Sequence, residues 1–210
     1  MNPDFLTRTR SGYDRIARAY ADHFRDEFAG WYEERALLGA FADRLVAGGG
    51  GPVVDAGCGP GDVTGFLRDR GVDARGIDLS PEMVRVAREQ HAGVPFAVGS
   101  LLELPTGLAG LLAWYSLIHV PPERRADCLA GFARALRPGG LLLLGFQVGT
   151  GTLHLAEALG EPVGLDFHRL DPDELADRLG DNGFTVLSRT VRAAREGERT
   201  PHAVVLARRG

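Results

Sequence analysis

Apolar positions along the chain repeat with two different periods, and the order of those periods predicts the elements. Tyr13, Ile16, Ala17, Tyr20 and Phe24 share one face at helical spacing, predicting an amphipathic helix over residues 3–24. Leu37, Leu38, Phe41 and Leu45 predict a second helix over residues 33–47, ended by the flexible run Gly48 to Gly51. Short apolar runs then alternate with helical stripes. Val53 and Val54 lead as a buried strand into Asp55, and the chain turns through Gly57, Gly59 and Gly61. Val63, Phe66 and Leu67 resume helical spacing, and that helix stops at Gly71. A second strand is expected over residues 73–79. Ser80 then suits an N-cap, Pro81 the first helical position and Glu82 the positive end of the helix dipole, for a helix to Gln90.

Strands are expected next over residues 94–98 and 111–115. Pro121-Pro122 opens a helix with Leu129, Phe132, Ala133 and Leu136 on one stripe, and Arg137-Pro138-Gly139-Gly140 ends it. Leu141 to Val148 is nearly all apolar, as in a strand covered on both faces. The periodicity fades between Gly149 and Arg169, a stretch rich in glycine and histidine that is expected to be loop. Asp171, Pro172 and Glu174 restart a helix as N-cap, first-turn proline and N3 acid, and Asn182-Gly183 ends it. Phe184 to Ala193 and Pro201 to Arg208 read as an antiparallel pair joined through the polar link at 195–198. Strands alternating with helices imply a mostly parallel sheet with right-handed crossovers.

Composition narrows the partners more than the fold. At 210 residues, 44% hydrophobic and 25% charged, the chain suits one globular domain with a sizeable core. A net charge of −4 offers no electrostatic footprint for DNA or RNA, so nucleic acid is not an expected partner. Cys58 and Cys128 give neither a disulfide framework nor metal-ligand spacing, and no metal is expected. The first thirty residues are charged and lack an apolar core, and no apolar run reaches membrane-spanning length. A cytoplasmic protein that does not engage a membrane is the expectation, as monomer or homodimer.

The chemistry gathers at Asp55 to Asp62. Glycine lets the backbone take positive φ and lets a ligand approach it, and free N–H groups at a helix start favour electron-rich ligand groups. A dinucleotide fingerprint G-x-G-x-x-G would need glycine at position 62, where Asp62 stands. Glycines at 57, 59 and 61, with Asp55 two residues before them, resemble motif I of the class I S-adenosylmethionine-dependent methyltransferases. The resemblance extends to Asp78 at the end of the second strand and to Leu136-Arg137-Pro138-Gly139-Gly140. Tyr13-Asp14-Arg15-Ile16-Ala17 with Tyr20 resembles the segment that closes over the cofactor in small-molecule members. The run from Ala113 to His119 is similar to a subgroup of small bacterial members.

This resemblance implies an α/β fold, a doubly wound Rossmann-like seven-stranded sheet of order 3-2-1-4-5-7-6 with strand 7 antiparallel, and added N-terminal helices. Residues 1–48 would be a helical cap, 52–148 the cofactor-binding half and 149–210 the acceptor-side half of a single domain. It implies S-adenosyl-L-methionine as cofactor, with S-adenosyl-L-homocysteine as product. Asp55, Gly57, Gly59 and Gly61 would hold its methionine end, and Asp78, with two acceptor oxygens, both ribose hydroxyls. Leu79 and Met83 would flank the adenine, while Ser100 accepts from it and the Leu101 N–H reaches a ring nitrogen. The family often has an acid where Ser100 stands, and an aspartate where Gly110-Leu111-Leu112 stands. The Asn/Asp-Pro-Pro-Tyr signature of amino methylation on DNA bases and glutamine is absent after the fourth strand.

Methyl transfer from a sulfonium needs alignment more than acid–base chemistry. Orientation alone can be worth roughly 7–11 kcal/mol. A general base adds on the order of 10²- to 10⁴-fold, and only where the acceptor must lose a proton. An ionised phenol or carboxylate needs none. His119, just past the fourth strand, is a candidate base and equally a helix-entry histidine bonded to backbone. His168 with Asp166 could orient an acceptor, against the favoured reading of two surface residues. Tyr115 would wall the pocket as a cofactor contact, Trp114 would wall it or join the core, and Tyr13 and Tyr20 would cover the cofactor or simply pack. His154 reads as a loop residue and Cys58 as a space-filler. The expected activity is methyl transfer to oxygen or nitrogen of a small molecule. A nicotinamide-dependent oxidoreductase and a non-catalytic S-adenosylmethionine-binding protein are the competing readings.

Overall fold

The computed structural model describes residues 4–210. Two helices open the chain, α1 (Phe5–Gly30) and α2 (Tyr32–Ala47). The expected start of the first helix at residue 3 lies outside the described residues. Asp4 caps α1 by accepting from the Thr7 N–H at 2.8 Å. The helix runs beyond residue 24 because its apolar stripe continues to Phe28, whose ring meets Phe66 edge-on at 5.7 Å.

The alternating region follows as β1 (Val53–Ala56), α3 (Asp62–Arg68), β2 (Ala74–Asp78), α4 (Pro81–Gln90), β3 (Phe96–Val98) and β4 (Leu108–Trp114). A 3-10 turn over Leu117–His119 leads to α5 (Pro122–Ala135) and β5 (Leu136–Gln147). The chain finishes with β6 (Thr152–Ala158), β7 (Glu161–His168), α6 (Pro172–Asp181), β8 (Phe184–Arg192) and β9 (His202–Arg209). Both β4 and β5 begin earlier than their apolar runs. Leu108 pairs with Leu136 and Gly110 with Leu141, so residues 137–140 are an irregularity inside a strand and not a helix terminator.

Seven strands form one sheet in the order β3-β2-β1-β4-β5-β9-β8, with β9 antiparallel to both its neighbours. The expected order 3-2-1-4-5-7-6 differs only in the numbering of its last two strands, which become β9 and β8 because an extra hairpin precedes them. The segment expected to be loop is a hairpin in which β6 and β7 pair only with each other, outside the sheet. The alternation it needs is present, with Leu153, Leu155, Leu165 and Phe167 inward and Thr152, His154, Asp166 and His168 between them. A register shift between Leu155 and Glu157, and a turn that puts Leu159 at φ 51°, interrupt that alternation.

Side chains on the two faces of the sheet go to different cores. Val53, Leu141 and Leu143 pack with Leu38 and Phe41 of α2 and Phe66 of α3. Val54, Leu142, Leu144 and Phe146 pack with Phe132 of α5 and Leu175 and Leu179 of α6. Helix α1 lies over the carboxyl ends of the parallel strands and joins two elements. Its Ala17 and Ala21 pack on Met83 and Val86 of α4, and its Ile16 on Val163 and Leu165 of β7. A Cβ at Gly12 would come within 2.6 Å of the Val163 carbonyl oxygen, so α1 rests directly on the hairpin backbone.

Candidate active site

The turn after β1 is built by contacts on both sides. A Cβ at Gly57 would lie 2.4 Å from the Ser116 Cβ, and its φ of 80° excludes other residues as well. Ser116 in turn donates to the Ala56 carbonyl at 2.5 Å, tying the ends of β1 and β4 together. The N–H groups of Gly57 and Cys58 both donate to the Ile77 carbonyl, which carries the turn onto the end of β2. Gly61 faces away from the site, and a Cβ there would strike the Phe96 and His91 rings.

Two carboxyl groups stand at this turn. Asp78 accepts from the Gly59 N–H at 2.9 Å and the Ser80 N–H at 2.8 Å. Burial nonetheless pushes it up to about 6, against the lowering effect of those donors. Asp55 is 1% exposed and accepts from the Thr64 hydroxyl at 2.7 Å, while its Oδ1 has no hydrogen bond among the described residues. Burial raises it to about 7, and the nearby Asp78 charge adds to the rise. An orphaned carboxylate oxygen beside a second desolvated acid is a place that wants a positive charge and hydrogen-bond donors.

Both acids border a cavity of about 980 Å³ roofed by α1 and the β6–β7 hairpin. Tyr13, Tyr20, Gly57, Gly59, Leu79, Met83, Ser100, Leu101 and Tyr115 also line it, whereas Gly61 lies behind it. Ser100 uses its side chain to accept from the Leu102 N–H at 3.2 Å. The Leu101 N–H has no hydrogen bond among the described residues. Ser80 caps α4 and also donates to Asp14 of α1 at 2.6 Å, fixing the roof to the floor beside Asp78.

Tyr13 and His119 meet across the cavity wall. The Tyr13 hydroxyl lies 2.8 Å from His119 Nε2, and His119 Nδ1 lies 2.9 Å from the Asp166 backbone oxygen. A carbonyl only accepts, so Nδ1 carries the hydrogen and the Nε2 lone pair accepts a hydrogen bond from the Tyr13 hydroxyl. Burial pushes His119 down to about 4 and Tyr13 well up, so both are neutral. His119 therefore does bond to backbone, and its free lone pair is already engaged.

His168 and Asp166 do not bond to each other, in line with the favoured reading of two separate residues. Residues two apart in a strand face the same way, and both border a smaller cleft on the far side of His119, not the large cavity. The Asp166 carboxylate pairs across the hairpin with His154 at 2.7 Å and with Arg8 of α1 at 3.4 Å. His168 is held by Thr152 at 2.7 Å. His154, expected to have no partner, gains one because the hairpin places it opposite Asp166.

The far end of the cavity holds a charged network that sequence spacing did not signal. Glu34 of α2, 3% exposed, accepts from Arg192 and Arg195, each at 2.6 Å. Arg192 also grips Glu198 with two bonds, 2.5 and 2.7 Å. Tyr115, at a φ of 55°, donates its hydroxyl to His202 Nδ1 at 2.7 Å. Trp114 is buried, its Nε1 without a partner among the described residues.

A seven-stranded sheet with one antiparallel strand, a glycine turn after β1 and an acid ending β2 together define a doubly wound α/β architecture with its cavity beyond the carboxyl ends of the strands. Known proteins narrow it. Residues 53–140 match the family described as a methyltransferase domain. An uncharacterized methyltransferase of Geobacillus kaustophilus is 27% identical over 188 residues, 88% of this chain and 82% of its own. A malonyl-[acyl-carrier protein] O-methyltransferase of Enterobacter lignolyticus is 34% identical over 110 residues. That match takes in 52% of this chain and 44% of the relative, so the chain spans about half the length of such relatives. The crystal structure of magnesium protoporphyrin IX methyltransferase from Synechocystis PCC 6803 with bound S-adenosylmethionine is similar at a TM-score of 0.73 and 24% identity, covering 99% of this chain and 98% of that one. Residues 53–140 thus carry a methyltransferase domain, and the chain as a whole has the fold of a methyltransferase solved with S-adenosylmethionine bound.

Proposed function

We propose that this chain transfers a methyl group from S-adenosylmethionine to an oxygen or nitrogen of a small molecule held under α1 and the hairpin. The observation that carries the reading is the pair Asp55 and Asp78, two desolvated acids with raised pKa at a glycine turn. The cofactor supplies a cationic sulfonium that is its own leaving group. Asp55 and the backbone of Gly57 and Gly59 would hold its methionine end, and Asp78 its ribose. Leu79, Met83, Ser100 and the unused Leu101 N–H would frame its base, with Tyr13, Tyr20 and Tyr115 closing the site. Gly61 serves by letting the turn pack on Phe96.

In this reading residues 4–48 cap the cavity, 52–148 bind the donor and 149–210 shape the acceptor's room. His119 positions Tyr13 and does not act as the base, since its lone pair is engaged and its basicity is depressed. An acceptor that is already ionised needs no base, and the protein's work is to align it and keep water out. Likeness to an O-methyltransferase supports oxygen, and likeness to a porphyrin methyltransferase supports a small acceptor. Among the described residues no helix is long and apolar enough to cross a membrane.

Calorimetry with S-adenosylhomocysteine tests the donor half. Binding is expected, with Asp78→Ala weakening it at least about tenfold. Mass spectrometry of a metabolite extract incubated with isotope-labelled cofactor tests the transfer. Binding without any labelled product would leave a non-catalytic binding protein, and binding of NAD alone would return the chain to the oxidoreductases.

A further inference from the structure

Charged groups border both ends of the large cavity. Asp55, Asp62 and Asp78 stand at the glycine turn, and Arg169, Arg192, Arg195 and Arg199 stand beyond the end of β5 together with Glu34, Glu196 and Glu198. Five arginines border the cavity: Arg10, Arg169, Arg192, Arg195 and Arg199. Three are engaged by carboxylates, Arg10 with Asp14, Arg192 with Glu34 and Glu198, and Arg195 with Glu33 and Glu34. The guanidinium groups of Arg169 and Arg199 make no hydrogen bond or ion pair with any described residue.

These two flank the same point of the sheet. The Val148 N–H donates to the Pro201 carbonyl at 2.8 Å, bringing Arg199 and Thr200 to one side of the end of β5. The Leu170 N–H donates to the Gln147 carbonyl at 3.1 Å, bringing Arg169 to the other side. Arg169 is half-buried, with its backbone fixed through the Gly151 carbonyl at 3.0 Å. Its stem runs past Gly149, where a Cβ would lie 3.1 Å from its Cδ. The Gln147 amide borders the cavity at the same place and its side chain has no hydrogen-bond partner among the described residues. Between this group and the turn lies the apolar wall of Leu153, Leu155 and Phe167.

A partly desolvated guanidinium without a carboxylate is costly, and its fork of donors matches a planar or tetrahedral oxyanion. We propose that Arg169, assisted by Arg199 and Gln147, anchors an anionic head group of the methyl acceptor, whose apolar body lies along the hairpin. This rests on the methyltransferase reading and adds the acceptor's class: an amphipathic organic acid, carboxylic or phosphoric. The anchor sits beyond the end of β5, away from the acids at the glycine turn that face the donor.

The test uses full-length protein saturated with S-adenosylhomocysteine, titrated by calorimetry with octanoate against octanamide and with octyl phosphate against 1-octanol. At least one anion is expected to bind about tenfold or more tightly than its neutral counterpart, and the two pairs separate carboxylate from phosphate. Arg169→Gln should erase that preference without changing S-adenosylhomocysteine affinity or the unfolding midpoint. Arg169→Lys should keep part of it, because a point charge replaces the fork. Gly149→Ala keeps the charge but crowds the stem, and should lower the preference too. Equal binding of anion and neutral partner in both pairs, no binding of any of the four, or a preference that survives Arg169→Gln would overturn the proposal. Failure of S-adenosylhomocysteine itself to bind would instead strike the donor reading beneath it.

Discussion

The Tyr13 hydroxyl donates a hydrogen bond to His119 Nε2 at 2.8 Å, joining the helix that roofs the cavity to the turn that follows β4. The second nitrogen of that histidine is held by the backbone of β7, so one imidazole fastens three separate elements. Neither residue is free to titrate near neutral pH, and their link is a fixed part of the cavity wall.

Removing the donor leaves a buried lone pair unsatisfied. Tyr13→Phe should therefore lower unfolding free energy by about 1–3 kcal/mol, measured in urea at pH 7.5. An unchanged midpoint would show that Nε2 finds another donor.

His119 carries a pH signature. Its folded pKa, about 4, lies below the unfolded value of 6.5, so the unfolded chain binds the proton first as pH falls. Above pH 6.5 this residue adds no pH dependence, and between 6.5 and 4 it removes stability on the order of 3 kcal/mol in all. His119→Leu should flatten that part of the wild-type profile. The comparison must be made as a difference, because Asp55 and Asp78 act in the opposite sense over an overlapping range.

Asp55 is held ionised at a cost when no cation is beside it. Its folded pKa of about 7 exceeds the ordinary 3.8, so the folded state loses stability as pH rises from about 4 through 7. Asp55→Asn keeps an acceptor for Thr64 and removes that cost. The ligand-free variant should be more stable than wild type at pH 8, with the difference shrinking as pH falls. Its affinity for S-adenosylhomocysteine should drop at least about tenfold. A variant that is less stable at pH 8 would contradict this account.

Gly12→Val would place a side chain against the Val163 carbonyl. The expected outcome is local: faster amide exchange over residues 5–30 and 152–168, with the sheet strands protected as before. Uniform loss of protection would mean that α1 is essential to the whole fold.

Much of the architecture is legible in the order of periods along the chain. Val53-Val54, the glycines at 57, 59 and 61, and Ser80-Pro81 mark the first crossover because strands, turns and caps each demand particular residues there. The hairpin was not legible, since the irregularity at Leu155–Glu157 and the non-glycine turn residue Leu159 hide its alternation. Links between distant residues leave no local trace at all. Tyr13 with His119, Asp166 with Arg8, and Glu34 with Arg192 each depend on how whole elements are laid together. The same holds for Arg169, whose significance lies in lacking the partner that Arg192 and Arg195 have.

The seat of α1 on β7 has a consequence for how this chain could change its acceptor. Gly12 touches the hairpin backbone, Arg8 and Arg15 reach Asp166 and the Pro162 carbonyl, and Tyr13 meets a histidine held by the same strand. Transplanting the hairpin alone into a relative would leave these grips without their counterparts. A graft that alters selectivity must carry residues 5–30 and 152–168 as a matched set, so that the door and the frame are exchanged together.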